Sequence, residues 1–272
     1  MNLESIVTKS LNVFKIAISL PIAVAVFGIA SFWHNVSLDP KTVTIGKTPV
    51  LLIHGSDSNQ QQWTYFRQFL SGKDIGHVFA VNLNKKARKN DHDRDILDYA
   101  RAIQSKLSKM KELYKEAGWD LNEVIFVGNS MGGLVAAAYY ITEEIEEKDK
   151  FAIKALISIS SPWKGSKIAD VLCDRNKYPE KYFCRCSVDR DNLITKFVEL
   201  AKRNELPVYN YGSTMDLLVP AESAKLPIPI DNVLINDKND HWTTMVDHNL
   251  AFFIRDNWVQ KHTNILFSII KT

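Results

Sequence analysis

The chain has 272 residues, of which 46% are hydrophobic and 24% are charged, and its formal net charge is +3. This length and composition are typical of a globular protein with one large or two small domains, and they exclude a fragment-sized peptide, a collagen and a coiled coil. The 34 basic and 31 acidic residues nearly balance, so the chain lacks the strong positive field that nucleic-acid binding usually needs. We therefore expect no nucleic-acid partner.

An uncharged apolar run at residues 16–33 is the first clear pattern in the chain. As a helix rising about 1.5 Å per residue it would extend roughly 27 Å, close to the hydrocarbon thickness of a bilayer. Together with the preceding Lys9 and Lys15, the run predicts a membrane anchor that places the rest of the chain on the non-cytoplasmic side. The alternative is a signal segment cleaved near Ala30, which would give a secreted or periplasmic protein. In both interpretations, residues 1–38 precede a single domain at residues 39–272.

Short apolar runs alternate with helical patterns along that domain. The predicted strands are residues 50–53, 78–83, 124–127, 155–159, 208–211 and 233–235. The clearest helical pattern runs from Ile96 to Ala117, with apolar residues at three- and four-residue steps and Gly118 as its stop. Alternating strands and helices predict an α/β protein with a mostly parallel central sheet and helices on both faces. We interpret the polar segment at about 163–206 as a cap or lid insertion that includes a helix near 193–202.

The strongest chemical signal is Gly-Asn-Ser-Met-Gly at residues 128–132, between an apolar strand and a helix-forming run. A sharp turn from strand to helix presents a serine hydroxyl clear of the backbone, and flanking glycines relieve the crowding of that turn. The helix that follows directs amide groups towards the place where negative charge develops. The pattern therefore predicts that Ser130 is a nucleophile.

A serine needs a histidine base, and a carboxylate that orients the histidine, to react near neutral pH. Asp216 and His241 each follow a predicted strand, in the order serine, acid, base. Each has a structural alternative, a turn for Asp216 and a helix cap or surface position for His241. His248 is the second choice for the base. We predict a catalytic triad of Ser130, Asp216 and His241.

The residues His54-Gly55-Ser56 follow the first predicted strand. A tetrahedral oxyanion needs two amide donors, one directly after the nucleophile and one from an early loop at a strand end. We therefore expect the amides of Met131 and Ser56 to form the oxyanion hole, with Gly55 allowing a close backbone approach. The alternative is an ordinary turn that ends the strand.

Together with Ser-Pro-Trp-Lys-Gly-Ser at 161–166, these motifs resemble the α/β-hydrolase superfamily. The closer likeness is to its esterase and lipase branch, including lipases similar to the inositol deacylase that acts on lipid-anchored proteins. The resemblance covers roughly residues 48–262. It implies the α/β-hydrolase fold, the triad and oxyanion donors named above, and no metal or organic cofactor. Asn129 departs from the histidine that commonly precedes the serine in lipases.

The expected activity is that of a serine hydrolase that cleaves carboxylic esters through an acyl-enzyme. The resemblance implies an esterase or lipase whose substrate is a small-molecule or lipid-like acyl ester, and a membrane segment at 16–33 would hold the site near a bilayer. An acyltransferase would use the same triad with another acceptor in place of water. A non-catalytic binding protein with this fold is the third alternative, because fold does not determine function.

Overall fold

Within the part of the chain that the structure describes, a six-stranded sheet forms the centre. The computed structural model describes residues 39–40, 42–43, 45–56, 58–70, 75–83, 95–146, 151–166, 170, 182–213, 216, 219–226 and 232–235. The strands β1 to β6 are Val50–Ile53, Val78–Val81, Glu123–Asn129, Ala152–Ile159, Val208–Ser213 and Asn232–Ile235. They lie in the order β2-β1-β3-β4-β5-β6, and every neighbouring pair is parallel. All six predicted strands are confirmed, with small differences at their ends.

Helices cover both faces of this sheet. A 3₁₀ helix at Gln60–Trp63 leads directly into the first α-helix. The helices α1 to α4 are Thr64–Leu70, Ile96–Glu116, Met131–Glu146 and Val188–Arg203. Trp63, together with Phe66 and Leu70 of α1, packs with Val50 and Leu52 of β1. The other three helices pack on the opposite face, with Leu51 and Ile53 of β1. Because both faces of β1 are covered, its four residues are all apolar and all buried. The predicted α/β architecture is confirmed.

Helix α2 shows why the local sequence forms the element that it does. Asp95 caps the helix, its side chain accepting a hydrogen bond from the Ile96 amide, and Asp98 completes a capping box. The residues at three- and four-residue steps form the buried face of the helix. Gly118 follows with a φ of +83°, a conformation that suits glycine at a helix end.

Helix α4 lies in the segment predicted as a cap or lid, and it begins earlier than the helix predicted at 193–202. Ile194, Phe197 and Leu200 are buried in the core shared with α2 and α3. The Phe197 ring also stacks on Trp163 with 6.0 Å between ring centroids. This part of the segment therefore serves as a crossover helix between β4 and β5. Most of residues 167–181 lie outside the described residues, so their role as a lid stays a prediction.

The predicted localisation requires correction. Among the residues that the structure describes, no helix combines the length and the apolar character needed to cross a membrane. The apolar run at 16–33, from which we predicted an anchor or a cleaved signal, lies outside the described residues. This finding overturns the predicted membrane-anchored localisation.

Candidate functional site

The strand order creates a crevice between β1 and β3 at the carboxyl edge of the sheet. From β1 the chain moves outwards to β2, and then crosses back to β3 on the other side of β1. The elements that follow β1 and β3 pack on opposite faces of the sheet. In open α/β sheets, ligands bind in the crevice at such a reversal, outside the carboxyl ends of the strands. Ser56 and Ser130 follow the two strands that flank this point.

Ser130 occupies a strained turn between β3 and α3. Its φ is +53°, a left-handed conformation that residues other than glycine rarely adopt. The Ser130 amide donates a hydrogen bond of 2.8 Å to the carbonyl of Ile159 at the end of β4. The Ser130 residue is only 7% exposed. The turn from strand to helix that the sequence predicts at this position is therefore present.

The glycines of the turn are required by close backbone approaches. A Cβ at Gly132 would lie 2.3 Å from the carbonyl oxygen of Ile53 in β1, and a Cβ at Gly128 would lie 2.6 Å from the carbonyl carbon of Gly132. Real Cβ atoms do not come this close to backbone atoms. Glycines at these two positions therefore let the start of α3 pack directly against the ends of β1 and β3.

The two predicted oxyanion donors lie on the elements that flank Ser130. Met131 is the first residue of α3, so its amide is one of the N-terminal amides that have no partner within the helix. Ser56 follows Gly55, and a Cβ at Gly55 would lie only 3.0 Å from the Cβ of Ser130. The structure thus brings the loop after β1 into contact with the Ser130 turn. A helix N-terminus beside a serine can stabilise an anion that forms there.

His54 connects the start of the same loop to Leu83, two residues after the end of β2. Its Nε2 accepts a hydrogen bond of 2.9 Å from the Leu83 amide, which places the ring proton on Nδ1. The Nδ1–H then donates to the Gly55 carbonyl at 2.8 Å. Because the ring is fully buried, desolvation lowers the pKa of His54 to about 4. His54 is therefore neutral near pH 7, and its two hydrogen bonds hold the loop in place from the protein interior.

This buried histidine predicts that folding stability falls in mild acid. The unfolded chain protonates His54 near its ordinary pKa of 6.5, whereas the folded protein resists protonation down to about 4. The contribution of His54 is complete above pH 6.5 and is lost progressively as the pH falls towards 4. Between pH 7 and pH 5 we expect the free energy of unfolding to fall by about 2 kcal/mol through His54.

Urea unfolding of the wild type and of His54→Gln at pH 7, 6 and 5 measures this contribution. Other titrating groups are common to both proteins, so the difference between their pH slopes isolates His54. The variant should show the shallower slope. Parallel slopes in the two proteins would contradict a neutral buried His54.

A buried polar bridge links the same loop to the residue before Ser130. Gln62 of the 3₁₀ helix donates from Nε2 to Oδ1 of Asn129 at 2.8 Å, and the Ser58 hydroxyl donates to Oε1 of Gln62 at 2.7 Å. Asn129 in turn donates from Nδ2 to the Ile159 carbonyl at 3.3 Å. Sequence reasoning identified Asn129 only as a departure from lipases, and it missed Gln62. No local pattern signals a bond between residues 67 positions apart.

Asp216 lies beyond the end of β5, at the same edge of the sheet as Ser130. It is 4% exposed, and its Oδ1 accepts a hydrogen bond of 2.9 Å from the Val219 amide. That bond also forms a local turn, the structural alternative considered for this residue. Since β4 alone separates β3 from β5, the two strand ends lie roughly 10 Å apart at about 4.8 Å per strand.

The candidate bases His241 and His248 lie outside the described residues. Strand β6, which precedes His241 in the chain, pairs with β5 in parallel, and Ser213 lies opposite Ile235. The chain therefore leaves β6 at the edge where Ser130 and Asp216 are found. Among the residues that the structure describes, no group of three His, Cys, Asp or Glu side chains is placed to hold a metal ion.

Comparisons with solved structures agree on the fold. A lipase-esterase related protein from Clostridium acetobutylicum has a TM-score of 0.51 at 12% identity, covering 85% of this chain and 98% of that one. A carboxylesterase from Nitrososphaera gargenis has a TM-score of 0.53 at 13% identity, covering 83% and 91%. A bacterial membrane phospholipase A has a TM-score of 0.50 at 12% identity, covering 99% and 100%. A search of curated proteins gives no match.

A family model places the chain more specifically. The model described as the PGAP1-like alpha/beta domain matches residues 44–268, which is most of the 272-residue chain. The resemblance to the esterase and lipase branch of the α/β-hydrolases is confirmed by this match and by the fold of the neighbours. The chain therefore belongs to the PGAP1-like alpha/beta domain family and has the α/β-hydrolase fold of lipases and esterases.

Proposed function

We propose that the protein is a serine hydrolase that cleaves carboxylic esters. One observation carries this proposal: Ser130 occupies a strained turn at the strand-order reversal, between the N-terminus of α3 and the loop after β1. Strain of this kind costs of order 1–3 kcal/mol and persists only where the surrounding structure enforces it. Here the bond to Ile159 and the close backbone approach of Gly132 enforce it. Such strain at a serine beside a helix N-terminus is typical of a nucleophile.

In the proposed reaction, the Ser130 hydroxyl oxygen forms a bond to the carbonyl carbon of the ester. His241 takes the hydroxyl proton and then passes it to the leaving alcohol as the ester bond breaks. Water attacks the acyl-enzyme in the same way, so that the acid is released and Ser130 regains its proton. Asp216 holds the imidazole in the required tautomer and stabilises its cationic form.

The oxyanion formed in each step would accept hydrogen bonds from the amides of Met131 and Ser56. Met131 begins α3, so the partial positive charge of the helix N-terminus reinforces its amide. The β1 loop abuts Ser130 at Gly55, the residue before Ser56. Removal of one donor of this kind typically lowers kcat by about 10²–10³-fold.

For the substrate, we propose an acyl ester with an apolar acyl chain. The names of the structural neighbours refer to lipase-esterase, carboxylesterase and phospholipase proteins, which share the cleavage of acyl esters. Hydrolysis of nitrophenyl esters with two to sixteen carbons in the acyl chain, together with labelling by a fluorophosphonate, tests the proposal. Turnover and labelling of the wild type would support it. Absence of both would favour a non-catalytic binding protein, and esters formed with added alcohols would favour an acyltransferase.

The substitution Asp216→Asn is expected to lower kcat by about 10⁴-fold, since an asparagine stabilises the wrong tautomer of the histidine. The asparagine Oδ1 still accepts the bond from Val219, so the local turn is retained. Ester hydrolysis and thermal unfolding of the variant measure the two properties separately. Asp189→Asn, an exposed change in α4, is the control and should keep wild-type kcat. A purely structural turn at Asp216 would leave kcat of Asp216→Asn unchanged.

A further inference from the structure

A polar bridge between Gln62 and Asn129 joins two backbone segments. Their relative position must stay fixed for the proposed reaction. One segment is the loop after β1, which carries Ser56 and continues through Ser58 into the 3₁₀ helix. The other is the end of β3, where Asn129 precedes Ser130. Both amide side chains are buried, Gln62 being 1% exposed and Asn129 fully buried. Water therefore does not compete for these hydrogen bonds.

The orientation of both amides is determined by their partners. Ser58 donates to the Gln62 oxygen, the Gln62 nitrogen donates to the Asn129 oxygen, and the Asn129 nitrogen donates to the Ile159 carbonyl. If either amide were reversed, a donor would face a donor or an acceptor would face an acceptor. Since an unpaired buried polar group costs about 1–3 kcal/mol, the bridge has one favoured arrangement. Two apolar side chains of the same volume would fill the space, but they would not fix one relative orientation of the two segments.

The bridge ends at the Ile159 carbonyl, which also binds the backbone of the Ser130 turn. The Ile159 carbonyl accepts a bond from the Ser130 amide at 2.8 Å and one from the Asn129 side chain at 3.3 Å. A displacement of the loop at Gln62 is therefore transmitted to the atoms that hold Ser130. In the other direction, even a Cβ added at Gly55 would lie only 3.0 Å from the Ser130 Cβ, so the loop has little space in which to move towards Ser130.

We propose that Gln62 and Asn129 are positioning residues that hold the Ser56 amide at the distance from Ser130 that the oxyanion requires. This inference rests on the proposed function, because it assigns the bridge a role in the same reaction. It also gives a physical reason for asparagine at position 129: a short neutral amide can accept from Gln62 and donate to Ile159 at once. A shift of about 1 Å in a reacting geometry can lower a rate by about 10²-fold, so a small change in the loop has a measurable effect.

The test is a double-mutant cycle with Gln62→Met and Asn129→Leu, which keep side-chain volume and remove the hydrogen bonds. Fluorophosphonate titration counts the active sites, so kcat is expressed per competent site. We expect each single variant to lower kcat per site by about 10- to 100-fold, with KM within about twofold of the wild type. The double variant should be no slower than the slower single variant, because both substitutions break the same bridge.

A trifluoromethyl ketone provides a readout that a merely structural role would not change. Its hemiketal oxygen would occupy the oxyanion position, so its affinity should fall in parallel with kcat while KM stays near the wild-type value. Tyr140→Phe is the control: it removes a bond of 2.8 Å from Asn204 to the Tyr140 hydroxyl, a partly buried contact between α3 and the end of α4. We expect this control to lower the melting temperature slightly and to leave kcat per site unchanged.

Unchanged kcat per site in Gln62→Met would overturn the inference, whatever its melting temperature. If Asn129→Leu fails to fold, Gln62→Met and Ser58→Ala still decide the question, with about threefold lower kcat expected for the latter as the outer end of the bridge. The failure of the proposed function gives a different pattern. In that case the wild type would show neither turnover nor labelling, or Ser130→Ala would keep the wild-type activity. Failure of this inference alone leaves the wild type active, Ser130→Ala inactive and Gln62→Met with normal kcat per site.

Discussion

Replacing Ser130 with alanine is expected to abolish fluorophosphonate labelling and to lower ester hydrolysis by about 10⁶-fold, to the rate that binding and the oxyanion donors alone support. The reason is that the variant has no hydroxyl to form the acyl-enzyme. Gel-based labelling of purified wild type and variant, followed by kinetics on the best nitrophenyl ester, measures both effects. Full labelling of the variant would show that another residue is the nucleophile.

Comparison with Ser130→Gly separates the chemistry from the strain of the turn. Both variants should be inactive, but glycine adopts a φ of +53° without a steric penalty. We therefore expect Ser130→Gly to unfold with a free energy about 1 kcal/mol higher than that of Ser130→Ala. Urea unfolding at pH 7 measures this difference. Equal stability of the two variants would mean that alanine at position 130 carries no measurable conformational strain, which would contradict a strained turn.

Gly132→Ala is expected to cause a large loss of stability for the addition of one methyl group. Its new Cβ would lie 2.3 Å from the Ile53 carbonyl oxygen and 2.9 Å from that of His54. Because these contacts are with backbone atoms, α3 must move away from β1 rather than repack side chains. We expect a loss of about 3 kcal/mol in the free energy of unfolding and a reduction of kcat per active site of at least about 10²-fold.

Gly118→Ala is the control for the effect of a glycine replacement as such. Gly118 also has a positive φ, +83°, but a Cβ there meets nothing within 4 Å. We expect Gly118→Ala to lower the free energy of unfolding by about 1 kcal/mol, through backbone conformation alone. Its kcat should stay at the wild-type value. Denaturant unfolding of both variants, with activity per titrated site, makes the comparison. A Gly132→Ala variant as stable and active as Gly118→Ala would contradict the close packing of α3 on β1.

The fold was predictable because its signals are local. Each strand contains a short run rich in apolar residues, and the parallel sheet, covered on both faces, buries every residue of β1 and β2. The turn from strand to helix at Ser130 was predictable for a similar reason, because it requires its glycines within a few positions of the serine. These signals depend on neighbours in the sequence rather than on distant contacts.

The bridge and the buried histidine were not predictable in the same way. Gln62 lies among three consecutive glutamines, and nothing in that run distinguishes the residue that meets Asn129. The His54 ring gains its role from the Leu83 amide, 29 positions away. Long-range polar contacts of this kind leave no periodic pattern, so only the assembled structure reveals them.

The central place of β1 has a consequence for synthesis on the ribosome. Among the described strands, β1 comes first in the chain, but one of its two neighbours in the sheet is β3. The edge of β1 that pairs with β3, where Val50 lies opposite Ile125, stays unpaired until β3 has been synthesised. Until then, a nascent chain has only β2 available and presents an apolar strand with an open edge. Unpaired edges of this type promote aggregation. Translation that stalls between β2 and β3 should therefore yield products that depend on chaperones to remain dispersed.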